Sequence, residues 1–221
     1  MKTLTFLFVI SSMTIVFGQH KFALSVQLAP IYTHASSKVI FPFADPSNQL
    51  PTTEFRAVSS GLSYSVGVAA RYAFSPKWSI GAGIWATHAA VGKSDYLLNG
   101  TPYTVRYQYN HPFSNLYKAP LLINYQSSTK RLSPYFSAGA TFDFRGTSYV
   151  DINGNGELVP VKFGKGVVVT PLLGAGVIYG LTEHLSLIAQ PTIQYTIESH
   201  PSYSYFHAYQ LSLQTQLMYK F

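Results

Sequence analysis

Two kinds of short stretch in this chain carry residue types that could do chemistry. In Asp151-Ile152-Asn153-Gly154-Asn155-Gly156-Glu157, oxygen-bearing side chains stand at Asp151, Asn153 and Asn155 with a glycine directly after. That spacing opens a calcium loop, in which alternate side-chain oxygens surround the ion and the glycine permits a sharp turn. The closing position, however, is Lys162, where such a loop needs a bidentate glutamate. A glycine-rich turn at the tip of an external loop is therefore preferred to a metal site. Histidine and serine also occur together, in His184-Leu185-Ser186 and in His200-Pro201-Ser202, the latter close to Glu198. A lipid-acting enzyme would need serine, histidine and a carboxylate or amide converging near the outer leaflet. The first pair falls on a predicted turn at the wrong end and the second has one acid nearby, so no catalytic residue, no cofactor and no enzyme activity are expected. With no cysteine in the sequence, disulfides, thiolate metal sites and a lipidated cysteine are excluded.

The elements that must position these residues are extended segments. Apolar residues alternate with small or polar ones at a period of two, the sign of strands with unlike faces. Eight segments carry it, at Lys21–Thr33, Gly61–Phe74, Trp78–Ala89, Leu116–Tyr125, Ser133–Arg145, Val167–Tyr179, His184–Glu198 and Tyr209–Phe221. In the first, Phe22, Leu24, Val26 and Leu28 oppose Ala23, Ser25, Gln27 and Ala29. The Val167–Tyr179 segment is apolar on both faces and leaves its register open. Pro120 removes a ladder donor from the fourth segment. Connections after the second, fourth and sixth segments are short; those at His34–Ser60, Ala90–Asn115, Gly146–Gly166 and Ser199–Ala208 are long. Tyr103–Tyr109 alternates too, which predicts that strands three and four continue outward as a hairpin.

Short turns at one end and long loops at the other are the asymmetry of a transmembrane barrel. The expected fold is all-β, an eight-stranded antiparallel up-and-down transmembrane barrel with short periplasmic turns and long extracellular loops. A soluble sandwich would also alternate. Its polar face would carry more Lys and Glu than the Gly, Ala, Ser, Thr and Gln found here, which suit a narrow lumen. The aromatic residues Tyr72, Phe74, Trp78, Tyr125, Tyr135, Phe136, Tyr179, Tyr219 and Phe221 gather at the short-turn end, as expected of an interfacial girdle. Arg71, Lys118, Asp143, Arg145 and Glu198 fall on the inner faces, where desolvation drives charges to pair. Together they are expected to form a salt-bridged lumen plug rather than an ion path.

Charged residues make up 10% of the chain and aromatic residues 15%, against about 25% charged residues in an ordinary soluble domain. Met1-Lys2-Thr3 begins a basic, then apolar run to Phe17, with Val16 and Gly18 as small residues before Gln19. This layout predicts a signal peptide over residues 1–18 and a single barrel domain over 19–221. The apolar run is shorter than the roughly 20 residues a spanning helix requires. The formal charge is +7, spread along the chain rather than clustered. Nucleic-acid binding is therefore not expected, and membrane lipids and lipopolysaccharide are the expected partners.

Leu116-Tyr117-Lys118-Ala119-Pro120-Leu121-Leu122-Ile123-Asn124-Tyr125 has a central Pro-Leu-Leu before a closing Tyr, and in this it resembles a strand of the PorT-like outer-membrane β-barrel family of Bacteroidota-type bacteria. Pro134–Ala140 and Gly174–Leu181 resemble its glycine-bearing strands, and Leu217–Phe221 its terminal strand. Lys118 departs from the family, which commonly carries an acid at that place. The resemblance implies location more than activity, and some relatives assist protein secretion. Phe221, with apolar or aromatic residues at alternate positions before it, also resembles the recognition signal for barrel-assembly machinery. The expected role is non-enzymatic: envelope structure, partner binding through external loops such as Pro201–His207, or secretion support. The alternative is a lipid-acting enzyme or a small-solute pore.

Overall fold

The computed structural model describes residues 21–42, 52–98, 101–108, 116–144, 147–150, 159–162, 167–197 and 205–221. The expected signal peptide and parts of the expected long connections lie outside them. Alternating side chains produce β1 (Phe22–Pro42), β2 (Thr52–Ala73), β3 (Trp78–Leu98), β4 (Thr101–Gln108), β5 (Leu116–Gln126) and β6 (Leu132–Phe144). These are followed by β7 (Thr147–Val150), β8 (Val159–Lys162), β9 (Val167–Gly180), β10 (Leu185–Ile197) and β11 (Tyr205–Lys220). Eight of them close a ring, β1-β2-β3-β5-β6-β9-β10-β11, and β1 pairs with both β2 and β11. Every pairing is antiparallel, and closure leaves the ring without a free edge.

The predicted faces appear on opposite sides of the wall. Leu24, Val26 and Leu28 point outward and are each more than half exposed, while Ala23, Ser25, Gln27 and Ala29 between them are buried in the lumen. The register left open in β9 is settled by Leu172 and Ile178, which turn inward, with Val169, Leu173 and Val177 outside. One girdle assignment is corrected: Tyr135 is 1% exposed and sits in the lumen. It follows Pro134 and precedes Phe136, so strand parity sends it inward while Phe136 faces out. Clustering of aromatics at the short-turn end of the strands did not separate the two faces.

Prolines cost less than their number suggests. Antiparallel pairing lapses between Leu28↔Thr215 and Ile31↔Ser212 at Pro30, between Ala82↔Leu121 and Trp85↔Lys118 at Pro120, and between Ala189↔Val177 and Thr192↔Gly174 at Pro191. On its other side each proline stays in an unbroken ladder, opposite Tyr64, Thr141 and Leu213 respectively. A residue's N–H and C=O point to the same neighbour in an antiparallel sheet, so a missing N–H harms only one ladder.

The wall is uneven in height. β5, β6 and β10 have 11, 13 and 13 residues, close to the roughly 9–11 that cross a bilayer when tilted. In contrast, β1, β2 and β3 have 21, 22 and 21, so most of the predicted loop His34–Ser60 and part of Ala90–Asn115 are strand. β1 and β2 pair out to Pro42↔Thr52, and β3 turns back on β4 from Leu98↔Thr101 to Val91↔Gln108. The outward hairpin expected from Tyr103–Tyr109 is therefore present, formed by β3 and β4. A second hairpin, β7–β8, stands within the predicted loop Gly146–Gly166. The extended wall holds polar cross-strand pairs: Lys38 with Glu54 at 2.9 Å, Ser59 with Ser94 at 2.6 Å, and Thr104 donating to Asp95 at 2.7 Å.

Candidate functional site

The lumen is layered, and the inward residues of β11 mark the layers from the short-turn end upward: Lys220, Met218, Gln216, Gln214, Ser212, Gln210. Met218 belongs to a buried apolar septum with Ala23, Tyr135, Ile178 and Ile188. Above it lies a layer of amides. Gln190 Nε2 donates to Gln214 Oε1 at 2.6 Å, Gln214 Nε2 to Gln27 Oε1 at 2.9 Å, and Gln216 Nε2 to Gln214 Oε1 at 2.9 Å. The Ser137 hydroxyl lies 2.9 Å from Asn124 Oδ1 and 3.1 Å from Gln190 Oε1 and donates to one of them at a time. Glutamine suits this place because each amide is both donor and acceptor, so it links strands without adding a charge.

A second apolar group, Trp85, Leu122 and Leu172, fills part of the interior beside the amides. Trp85 is a bulky residue buried on the inner face of β3, and its register partner is Gly67. A Cβ on Gly67 would collide with the Trp85 ring and with the Ile84 carbonyl. Glycine is what lets an indole lie across a lumen this narrow.

Toward the long-loop end the lumen becomes ionic. Lys118 Nζ lies 3.4 Å from Asp143 Oδ2 and donates to Gln210 Oε1 at 2.7 Å and Gln194 Oε1 at 3.2 Å. Thr170 Oγ1 donates to Asp143 Oδ2 at 3.3 Å, and Thr141 Oγ1 to Gln194 Oε1 at 3.3 Å. Lys118 and Asp143 are also register partners on β5 and β6, so the pair is set by the same ladder that closes the wall. A buried ammonium with one carboxylate and two amide oxygens around it has its charge and its donors accommodated.

The five charged residues expected in one plug do not come together. Lys118 and Asp143 meet; Arg71 stands at the opposite end of the lumen, its guanidinium 5.1 Å from the centre of the Tyr135 ring. Arg145 and Glu198 lie outside the described residues, as do Asp151, Asn153 and Asn155 of the calcium candidate. Among the described residues no group of three His, Cys, Asp or Glu side chains could hold a metal. His184 and Ser186 are not assembled into a nucleophile pair. His184 stacks on Tyr219 at 5.9 Å and its Nδ1 lies 3.1 Å from the Lys220 carbonyl, whereas the buried Ser186 hydroxyl has no hydrogen-bond partner among the described residues.

Sequence reading missed the amide layer and both apolar groups. The signal for the first was present: Gln27, Gln190, Gln194, Gln210, Gln214 and Gln216 all have inward parity. Nothing in the sequence tells which of them share a level, because that depends on the stagger between strands.

No family model matches the sequence, and no curated protein matches it. Solved structures do. The outer membrane protease OmpT from Escherichia coli aligns with a TM-score of 0.52 at 11% identity, covering 93% of this chain and 98% of that one. Neisserial surface protein A aligns at 0.48 and 15% identity, covering 90% and 99%. The N-terminal β-barrel domain of Pseudomonas aeruginosa OprF aligns at 0.43 and 15%, covering 86% and 97%. At such identities the likeness is one of fold. This chain is similar to barrels of the outer membrane.

Proposed function

We propose that the protein is an integral barrel of a bacterial outer membrane, exported by cleavage of a leader at residues 1–18, and that it acts without catalysis. The observation that carries this reading is the inverted distribution of polarity. Residues such as Ile84 and Leu173, 63% and 60% exposed, cover the outside of a closed ring, while the inside is filled by glutamine, serine, threonine and a Lys–Asp pair. Water would penalise that exterior and hydrocarbon would not. A filled interior of this kind supports a structural barrel more than a pore, since side chains of eight strands are enough to occupy their own lumen.

Work is then left to the surfaces. The raised wall of β1, β2, β3 and β4 supports partner binding outside the membrane, where an extended polar sheet offers main-chain edges and paired charges. Lipopolysaccharide and membrane lipids are the proposed lateral neighbours, and barrel-assembly machinery the partner during biogenesis through the strand ending at Phe221. Membership of the PorT-like family rests on the Pro120-Leu121-Leu122 strand and the glycine-bearing strands after it; secretion support belongs to the same reading. Two measurements on cells making the full chain test it. The protein should fractionate with outer membranes, and crosslinking from cysteines placed singly at Thr101 and Thr104 should capture a specific partner. Recovery of the processed chain as a folded, water-soluble monomer without detergent would sink it, as would a stable large conductance in planar bilayers for the closed lumen.

A further inference from the structure

The mouth of the lumen at the short-turn end is built differently from the rest. A cavity of about 450 Å³ opens there, its charged lining made of Lys21, Arg71, Lys77 and Lys220 with one acid, Glu183. A second, of about 360 Å³, adjoins it and shares Gln126, Glu183 and Lys220. Ala23 is the register partner of Lys220 on one side and of Arg71 on the other. Both cations therefore point inward from strands that flank a single alanine, with backbones roughly 10 Å apart at the usual strand spacing. The short Ala23 side chain leaves the space between them open.

Neither charge meets a carboxylate among the described residues. Among the described residues the ion pairs are Lys38–Glu54, Arg56–Glu54, Lys93–Asp95 and Lys118–Asp143; Arg71 and Lys220 take part in none, and Glu183 reaches neither. The Arg71 guanidinium lies with its carbon over the Tyr135 ring. An aromatic ring holds such a group by its face and leaves the edge donors to a ligand. A further polar atom is unanswered: the Ser186 hydroxyl, 1% exposed, lines the adjoining cavity with Lys220 and has no hydrogen-bond partner among the described residues. Above them the septum of Met218, Ile178 and Ile188 closes the way into the amide layer, so the site is a blind cup.

We infer that this cup is an anion site that takes a phosphate group, bridged between Arg71 and Lys220 over Ala23. Phosphate fits because a planar guanidinium grips two of its oxygens while an ammonium meets a third as a point charge. The phosphate can be a free ion or the headgroup of an anionic lipid at the adjacent membrane surface; the chemistry of the cup is the same.

The test uses the folded mature chain in non-ionic detergent. Inorganic phosphate titrated by calorimetry, with Trp78 fluorescence as a second readout since that residue lines the cup, should show saturable binding. In Arg71→Gln and Lys220→Gln the affinity should fall roughly tenfold or more each, the loss of one charge-assisted contact. Lys93→Gln, at the other end of the molecule, should bind as the parent does. Lys220→Glu covers the case in which an uncharged variant fails to fold: it gives Arg71 a carboxylate within the protein and should fold and lose binding. In parallel, the chain in nanodiscs of phosphatidylglycerol or of phosphatidylcholine is analysed by native mass spectrometry. Phosphate binding that depends on Arg71 and Lys220 supports the site with a free ion as ligand. Retention of phosphatidylglycerol alone, lost in the same variants, supports it with a headgroup. No binding in either format, or binding equal in the parent and the variants, overturns the inference.

Discussion

Two ends of one lumen treat an inward-facing cation in opposite ways, and β11 contributes to both. At the long-loop end Gln210 accepts from Lys118, whose charge is met by Asp143 across a register pair. At the short-turn end Lys220 and Arg71 flank Ala23 and meet no carboxylate. The septum and the amide layer separate the two, and Gln214 is the hub of that layer, bonded to Gln190, Gln27 and Gln216. The contrast teaches that inward charge is not one feature with one purpose. A cation whose donors are all taken holds strands together; a cation left open at a cavity is available to something from outside.

Making the upper end resemble the lower is the strongest way to break this contrast. Asp143→Asn leaves the Lys118 ammonium buried beside neutral oxygens and should destabilise the barrel by about 3 kcal/mol, read from urea unfolding in detergent by tryptophan fluorescence. Combining it with Lys118→Met should recover most of the loss, because the unpaired charge is then gone. A double variant as unstable as the single one would show that the pair is not what holds that end. Arg71→Gln should change stability far less, since no carboxylate among the described residues meets that charge and only the contact with the Tyr135 ring is lost.

Severing the layer between the ends has a smaller effect. Gln214→Leu strands the amides of Gln190 and Gln216 and the Gln27 carbonyl, which should cost about 1–3 kcal/mol in the same unfolding assay. Unchanged stability would mean that the glutamines fill space rather than link strands.

The smallest effect concerns charges outside the lumen altogether. Lys38, hydrogen-bonded to Glu54, and then Arg56 hold the Glu54 carboxyl below its usual range; Thr104 and then Lys93 do the same for Asp95. A lowered value means that these contacts favour the folded wall while the carboxylates are ionised and cease to do so as pH falls through those lowered values. All are solvent-facing, so screening keeps the contribution slight. Hydrogen exchange at about pH 6 and at about pH 3, corrected for intrinsic rates, should show faster opening of residues 52–58 and 91–98 in acid, with β5 and β6 unchanged. Equal protection of the raised wall at both pH values would remove these pairs from the account.

Much of this architecture was legible in the residues alone, for a physical reason that also sets its limit. Alternation records which side of a strand meets hydrocarbon, so the spanning parts of all eight strands and the three short turns could be read directly. It fades where both faces meet water. Ser36, Ser37, Ser59 and Ser60 give no contrast, and the upper halves of β1 and β2 passed for loop although their ladder continues to Pro42↔Thr52. Parity likewise foretold that Arg71, Lys118 and Asp143 face inward. It could not say that Asp143 sits across from Lys118 while Arg71 and Lys220 share Ala23 as neighbour, because a strand's own sequence carries no information about its partner's register. Stagger between strands decides which inward side chains share a level, and only the closed ring has a stagger. Local sequence settled the face of each residue; closure of the barrel settled its company.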